Sequence, residues 1–246
     1  MLPLRTLRLV TSRAALAEIP EGKVLINTIN AHSYNVAQRD EAFAQALRGG
    51  DCLLPDGASI VMACRWLGMA SRPVERVSGW DLFDFEMRRL NDRGGRCLFM
   101  GSSERVLGLI RERAAEQYPR IQVDTYSPPY KAAFTADDDA AILEAIHRSD
   151  PDLLWIGMTA PKQEKWAWQH WGEMRIHCHV GCIGAVFDFF AGTARRAPLW
   201  WQRHSLEWLY RLLAEPRRMW RRYVLGNPLF VWHVLRERLA SHSFTY

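Results

Sequence analysis

Six short apolar runs recur along the chain, at Val24 to Thr28, Cys52 to Leu54, Arg96 to Met100, Ile121 to Thr125, Leu153 to Gly157 and His177 to Val180. They lack the strict polar and apolar alternation of a strand with one wet face, so they suit strands covered on both sides. Between several of them lie longer stretches with apolar residues at helical spacing. That order predicts an α/β fold: a mostly parallel sheet flanked by helices.

Helix ends are legible from capping chemistry. Ser78 precedes a helical stretch from Gly79 to Asn91, and Gly94 follows it. Ser102 or Ser103 can cap a helix carrying Val106, Leu109, Ile110 and Ala114, because a side-chain oxygen there accepts an otherwise unpaired backbone N–H. Thr135, followed by Asp137, Asp138 and Asp139, opens a helix toward Arg148, with the acids at the positive end of its dipole.

Past Ala197-Pro198 the pattern changes. No further strand is expected, only three helices, from Ser205 to Ala214, Arg217 to Leu225 and Leu229 to Ser241, with Glu215-Pro216 and Asn227-Pro228 as breaks. The chain therefore divides into an α/β core over residues 1–195 and an all-helical appendage over 196–246.

Composition sharpens that division. Of 246 residues, 48% are hydrophobic and 24% charged, ordinary values for a globular chain large enough to bury a sizeable core. The net charge of +5 is concentrated in the appendage, which holds nine arginines against three acids, together with Trp200, Trp201, Trp208, Trp220 and Trp232. Arg5, Arg8 and Arg13 interrupt every apolar run near the start, so no secretory leader is expected and the protein is placed in the cytoplasm. No apolar run is long enough to cross a membrane. Five cysteines, odd in number and mostly in apolar surroundings, read as reduced buried thiols.

Ligands of open parallel sheets bind beyond the carboxyl ends of the strands. Four polar loops fall there: Asn27-Thr28-Ile29-Asn30, Pro55-Asp56-Gly57, Gly101-Ser102-Ser103-Glu104, and the stretch from Gly157 to Glu164. The Gly101-Ser102 turn can offer backbone N–H groups to a phosphate, or Ser can simply cap the helix. Pro-Asp-Gly reads locally as a turn and helix cap, but a carboxylate at a strand end beside other polar loops can also take a proton from a bound hydroxyl. The dinucleotide fingerprint of an oxidoreductase is missing, as is a P-loop.

His177, Cys178, His179 and Cys182 alternate along a short strand and cannot all converge on one metal ion, and the three aspartates after Thr135 read as a solvated helix start. In the appendage, Leu206, Leu209, Tyr210 and Leu213 form one apolar stripe, continued by Met219, Trp220, Tyr223 and Val224. Arg218, Arg221 and Arg222 gather on another side. This is either a helix docked on the core or an interfacial element whose tryptophans sit at headgroup depth, each basic contact adding about 1 kcal/mol. No recognition-helix, zinc-finger or RNP pattern accompanies the basic patch, so nucleic acid is not the expected partner.

Six ordered motifs complete the reading: Asn27-Thr28-Ile29-Asn30, Pro55-Asp56-Gly57, the stretch from Glu75 through Arg76 to Leu82, that from Gly157 to Glu164, that from Val180 to Asp188, and Gly192 through Arg195-Arg196-Ala197-Pro198 followed by Leu206-Glu207-Trp208-Leu209-Tyr210-Arg211 and Glu215-Pro216-Arg217-Arg218. In these the chain resembles the WecG/TagA/CpsF glycosyltransferases over nearly its whole length. The resemblance implies a Rossmann-like core and a C-terminal appendage that approaches the membrane and helps close the site. It also implies inverting transfer of a sugar from a UDP-sugar to a polyprenyl-diphosphate-linked glycan in cell-envelope or exopolysaccharide assembly, with no metal or other cofactor.

Carried over by position, the resemblance makes Asp56 the general base, with Thr28, Asn30, Arg76 and Gln163 around the reaction centre. It puts Asp188 near the donor nucleoside, its motif stretch holds Gly157 and Pro161, and with Gly101 and Ser102 of the strand-end turn described above these make up the expected substrate-binding loops. Arg211, Arg217, Arg218, Arg221 and Arg222 are the appendage arginines from which a diphosphate partner would come. It places the protein peripherally at the inner face of the plasma membrane, and a homo-oligomer is compatible with it. His32 and Tyr34 depart from the family's first loop, which leaves the donor sugar open. A non-catalytic nucleotide-binding or membrane adaptor would use the basic appendage but leave the polar strand-end loops unexplained.

Overall fold

The computed structural model describes residues 2–69 and 72–242. Along the core run β1 (Val24–Ile29), α1 (Ala31–Ala37), α2 (Glu41–Gly49), β2 (Cys52–Pro55), α3 (Ala58–Trp66), α4 (Gly79–Arg93), β3 (Gly95–Gly101), α5 (Glu104–Gln117), β4 (Ile121–Tyr126), α6 (Ala136–Ser149), β5 (Leu153–Gly157), α7 (Lys162–Gln169), β6 (His179–Cys182) and α8 (Gly184–Ala191). The strands form one sheet in the spatial order β2-β1-β6-β5-β3-β4, and every pairing is parallel. All six carboxyl ends therefore emerge along one edge. This is the Rossmann-like α/β architecture expected from the unalternated runs.

Those runs are continuous because β5 and β6 are buried along their whole length, as is nearly all of β1. On one face Phe83, Phe99, Phe187 and Phe190 pack around Trp155, with the Phe83 and Phe190 rings 4.8 Å apart. The bulk of Trp155 is accommodated by Gly181 on the neighbouring strand, where an added Cβ would stand 2.2 Å from the indole. Four of the five cysteines are buried and all are free thiols.

The capping expectations hold in detail. Ser78 and Thr135 each close a capping box, and Ser103 rather than Ser102 caps α5 by accepting the Val106 N–H. The sixth strand begins two residues later than the hydropathy suggests. Its pairing starts where His179 lies opposite Val24 and Leu153, and His179 is held there between the Glu86 carboxylate and the Pro20 carbonyl oxygen.

Beyond the core come α9 (Leu199–Arg203), α10 (Glu207–Ala214), α11 (Pro216–Trp220), a π-helical turn at Arg221–Leu225 and α12 (Gly226–His242). The expected break at Asn227-Pro228 does not occur. Pro228 lies in the first turn of α12, and the wider π turn carries the chain into it, with the Gly226 N–H reaching back five residues to the Arg221 carbonyl oxygen. The last helix docks on α1: Phe230 meets Tyr34 edge-on at 5.5 Å, and Asn35 donates to the Gly226 carbonyl oxygen at 2.7 Å. Glu237 closes the contact, accepting from Tyr34 Oη at 3.0 Å and from the Leu4 and Arg5 N–H groups at 2.8 and 2.9 Å.

Candidate active site

The carboxyl edge of the sheet opens into one cavity of about 2740 Å³, walled by strand-end loops on one side and by α9, α10, the π turn and α12 on the other. Single small-molecule pockets run to roughly 300–1,000 Å³, so the space can seat two substrates together. Thr28, Asn30, Asp56, Arg76, Ser102, Gly157, Pro161, Gln163, Asp188, Arg211, Arg218 and Arg222 all line it. Of the residues singled out by the sequence, Gly101, Arg217 and Arg221 do not. Gly101 instead packs so closely on Gly157 that a Cβ would lie 2.4 Å from its carbonyl oxygen, and Arg221 lies against the Trp220 ring.

Asp56 follows the last residue of β2, and its backbone N–H is tied to the Ile29 carbonyl oxygen at 2.8 Å, fixing it to the end of β1. It does not cap α3: Gly57 occupies the N-cap position, and no side chain bonds there. The residue is half-buried and lines the cavity. Enclosure pushes its pKa above the ordinary carboxylate range; the positive charges of Arg76, Arg211 and Arg222 pull against that shift, and the negative charge of Glu207 adds to it.

Arg76 donates to Glu207 Oε2 at 2.5 Å, both side chains about four-fifths buried, so an ion pair joins the core to α10 directly beside Asp56. Glu207 belongs to a motif stretch yet was not among the expected site residues; a lone glutamate in an amphipathic helix carries no local sign of such a partner. Arg196 is a second such residue, 5.2 Å from the centre of the Trp80 ring, its charged form disfavoured by burial. Among the described residues, Arg211 and Arg222 have no carboxylate partner. Arg211 lies over the Phe189 ring, and the Arg222 Nε is buried without a hydrogen bond.

Asn30 caps α1 with its side-chain oxygen, which accepts the His32 and Ser33 N–H groups. This fixes its orientation at the cavity wall. Gln163 is locked at both ends of its amide, donating to Glu164 Oε1 at 2.8 Å and accepting the Gly184 N–H at 3.2 Å. Residue 184 must be glycine, because a Cβ would stand 2.4 Å from the Met158 carbonyl oxygen. Glu164 is itself buried, its second oxygen has no partner, and burial raises its pKa to about 7. Asp188, also on the cavity wall, accepts from Thr193 Oγ1 at 3.1 Å. The Ser102 N–H, proposed above as a phosphate donor, is instead spent on the Gly157 carbonyl oxygen at 3.0 Å.

A parallel sheet with its polar loops, a raised carboxyl group and unpaired arginines facing one cavity defines a ligand-binding α/β protein with its site at the strand ends. Comparison with known sequences gives the class. The glycosyl transferase WecG/TagA/CpsF family matches residues 4–243, and the chain belongs to that family. Among curated relatives, the N-acetylglucosaminyldiphosphoundecaprenol N-acetyl-beta-D-mannosaminyltransferase of Bacillus spizizenii (strain ATCC 23059 / NRRL B-14472 / W23) is 32% identical over 206 residues, 83% of this chain and 76% of its own. The protein of the same name from Bacillus subtilis (strain 168) is 29% identical over 220 residues, 89% of this chain and 82% of its own.

Proposed function

We propose that this glycosyltransferase moves a sugar, with inversion, from a UDP-sugar to a glycan carried on a polyprenyl diphosphate, as the names of its relatives suggest for the acceptor. The observation that carries the reading is Asp56: a carboxyl group made more basic by enclosure, on the wall of a cavity large enough for both substrates. In this reading the acceptor hydroxyl gives its proton to Asp56 as its oxygen attacks the anomeric carbon. The bond to UDP breaks on the opposite face, and the leaving diphosphate takes up the electron pair.

Two features favour one displacement over two. The carboxylate beside Asp56, Glu207, is committed to Arg76 and is not free to act as a nucleophile. Arg211 and Arg222, which line the cavity and lack carboxylate partners among the described residues, would meet the charge that develops on the diphosphate, where fixed donors in a shielded site stabilise it strongly. Asn30 and Gln163, both held rigid, would orient the sugars. On this assignment transfer needs no added metal, and activity in excess EDTA should match activity without it.

The appendage would hold the protein on an anionic bilayer at the cytoplasmic face, where a lipid-linked acceptor resides. Trp200 and Trp232 are exposed in it, and no helix among the described residues is long and apolar enough to cross a membrane. The deciding experiment is Asp56→Asn, which keeps the shape and removes the base. Transfer should fall by about 10²- to 10⁴-fold with UDP binding intact, the usual contribution of general-base help. A folded variant working at the native rate would sink the proposal.

A further inference from the structure

The cavity does not end at the charged groups. From Asp56 the chain turns straight into α3, while from Arg222 it runs through the π turn into α12, so the two helices leave the reaction centre together. Between them lies an apolar groove continuous with the cavity. Its floor is core: Phe230 and Val234 of α12 are 5% and 3% exposed and pack in the same hydrophobic cluster as Ala63. Its lips are Met62 and Val231, 67% and 53% exposed, large apolar side chains open to solvent on the wall of a polar site. Trp66 lies at the far end, where the Arg238 guanidinium covers its ring at 4.6 Å and donates to its carbonyl oxygen at 2.7 Å. The groove follows α3 for its nine residues, roughly 13 Å at the rise of an α-helix.

We propose that this groove binds the isoprenoid chain of a diphosphate-linked acceptor, with the diphosphate at Arg222 and the hydrocarbon lying between Met62 and Val231. The proposal rests on the acceptor class assigned above and adds where its lipid part sits. Three observations choose this occupant. The groove is continuous with the cavity that holds Asp56; its head end is cationic, which suits a diphosphate; and from Arg222 through Phe230 to Val234 its wall passes from charged to apolar, as a prenyl diphosphate does, a second charge returning only where Arg238 closes the far end over Trp66. A nucleotide sugar has no apolar part to fill such a groove. Burying isoprene units there removes apolar surface from water and so tightens binding with each added unit.

The test uses the full chain without vesicles, so that partition into a bilayer plays no part. Geranyl diphosphate and geranylgeranyl diphosphate are titrated calorimetrically below the concentrations at which they aggregate. The longer probe should bind about tenfold more tightly to the native protein, and Met62→Gln with Val231→Gln should erase that gain. Arg222→Gln should weaken both probes by the same factor. Both lip residues are exposed, so folding is checked by the melting temperature, and Met62→Gln alone gives the same ratio at half strength if the pair proves unstable. Equal affinities in the native protein, or a gain that survives in the variant, would overturn the proposal. So would sedimentation showing a native dimer that the lip substitutions dissociate, since the groove would then belong to a second copy of the chain. Binding requires no sugar transfer, so the groove and the assignment of Asp56 fail separately.

Discussion

At Asp56, proposed above as the base, opposing effects set how tightly the carboxyl group holds its proton. Enclosure favours the protonated form, three arginines favour the carboxylate, and Glu207 tips the balance back toward the proton. A base raised in this way is charged, and active, only above its own pKa, so kcat/KM should fall as pH drops through a value above the ordinary 3.9 of aspartate. Glu207→Gln removes one negative charge and releases Arg76. The acid limb of the pH profile should then move to lower pH and kcat should drop several-fold, because a more stable carboxylate is a weaker base. An unmoved limb would detach Glu207 from the chemistry. Glu164 supplies the second titration. Its native pKa, about 7 against 4.5, means that the folded state holds a proton the unfolded chain has released, so that stability is fully present below pH 4.5 and is lost as pH rises through 7. Glu164→Gln should therefore melt on the order of 5 °C above the native protein at pH 8 and level with it at pH 4. Neither shift was legible in the sequence. Pro55-Asp56-Gly57 is the same tripeptide whether it caps a helix or carries a reaction, and only the contacts from distant elements separate the two.

The elements themselves were far more readable. Strands buried on both faces leave continuous apolar runs, and Ser78, Ser103 and Thr135 mark helix starts because each must satisfy unpaired N–H groups there. Pro228 misled because a missing N–H breaks a helix only in its interior, and here it falls in a first turn behind a π turn. The two-residue shift of β6 arose similarly: hydropathy marks burial, while pairing partners set where a strand begins. Most consequential is α12, which the sequence marks only as the last helix of a basic, Trp-bearing appendage but whose Phe230 and Val234 sit within the hydrophobic cluster shared with α1, α2 and α3. Phe230→Ala should cost about 3–5 kcal/mol through the cavity it leaves. A melting temperature roughly 10 °C lower would show it, at about 2–4 °C per kcal/mol for a chain of this size.

On the scale of the whole molecule, the parallel sheet explains why four polar loops distant in sequence share one cavity. That much followed from topology alone, since strands pointing one way must end on one edge. The cavity's other wall did not follow, because nothing in a chain's local pattern tells which helix will fold back over which strand. In the proposed reading the charge distribution carries to function. With nine arginines against three acids in its last fifth, the appendage should draw the protein to vesicles containing anionic lipid. Pelleting with such vesicles should weaken markedly as salt is raised and the screening length contracts below about 10 Å, and salt-independent pelleting would assign the contact to its tryptophans alone.

The Arg76 to Glu207 ion pair spans 131 positions of sequence. Each partner, left alone, would be an uncompensated charge beside a carboxyl group whose proton affinity matters, so neither can drift freely in evolution. Across an alignment of relatives, positions 76 and 207 should substitute in concert. A lineage that has lost one of these charges should also have lost the other, or have given up the ability to transfer sugar.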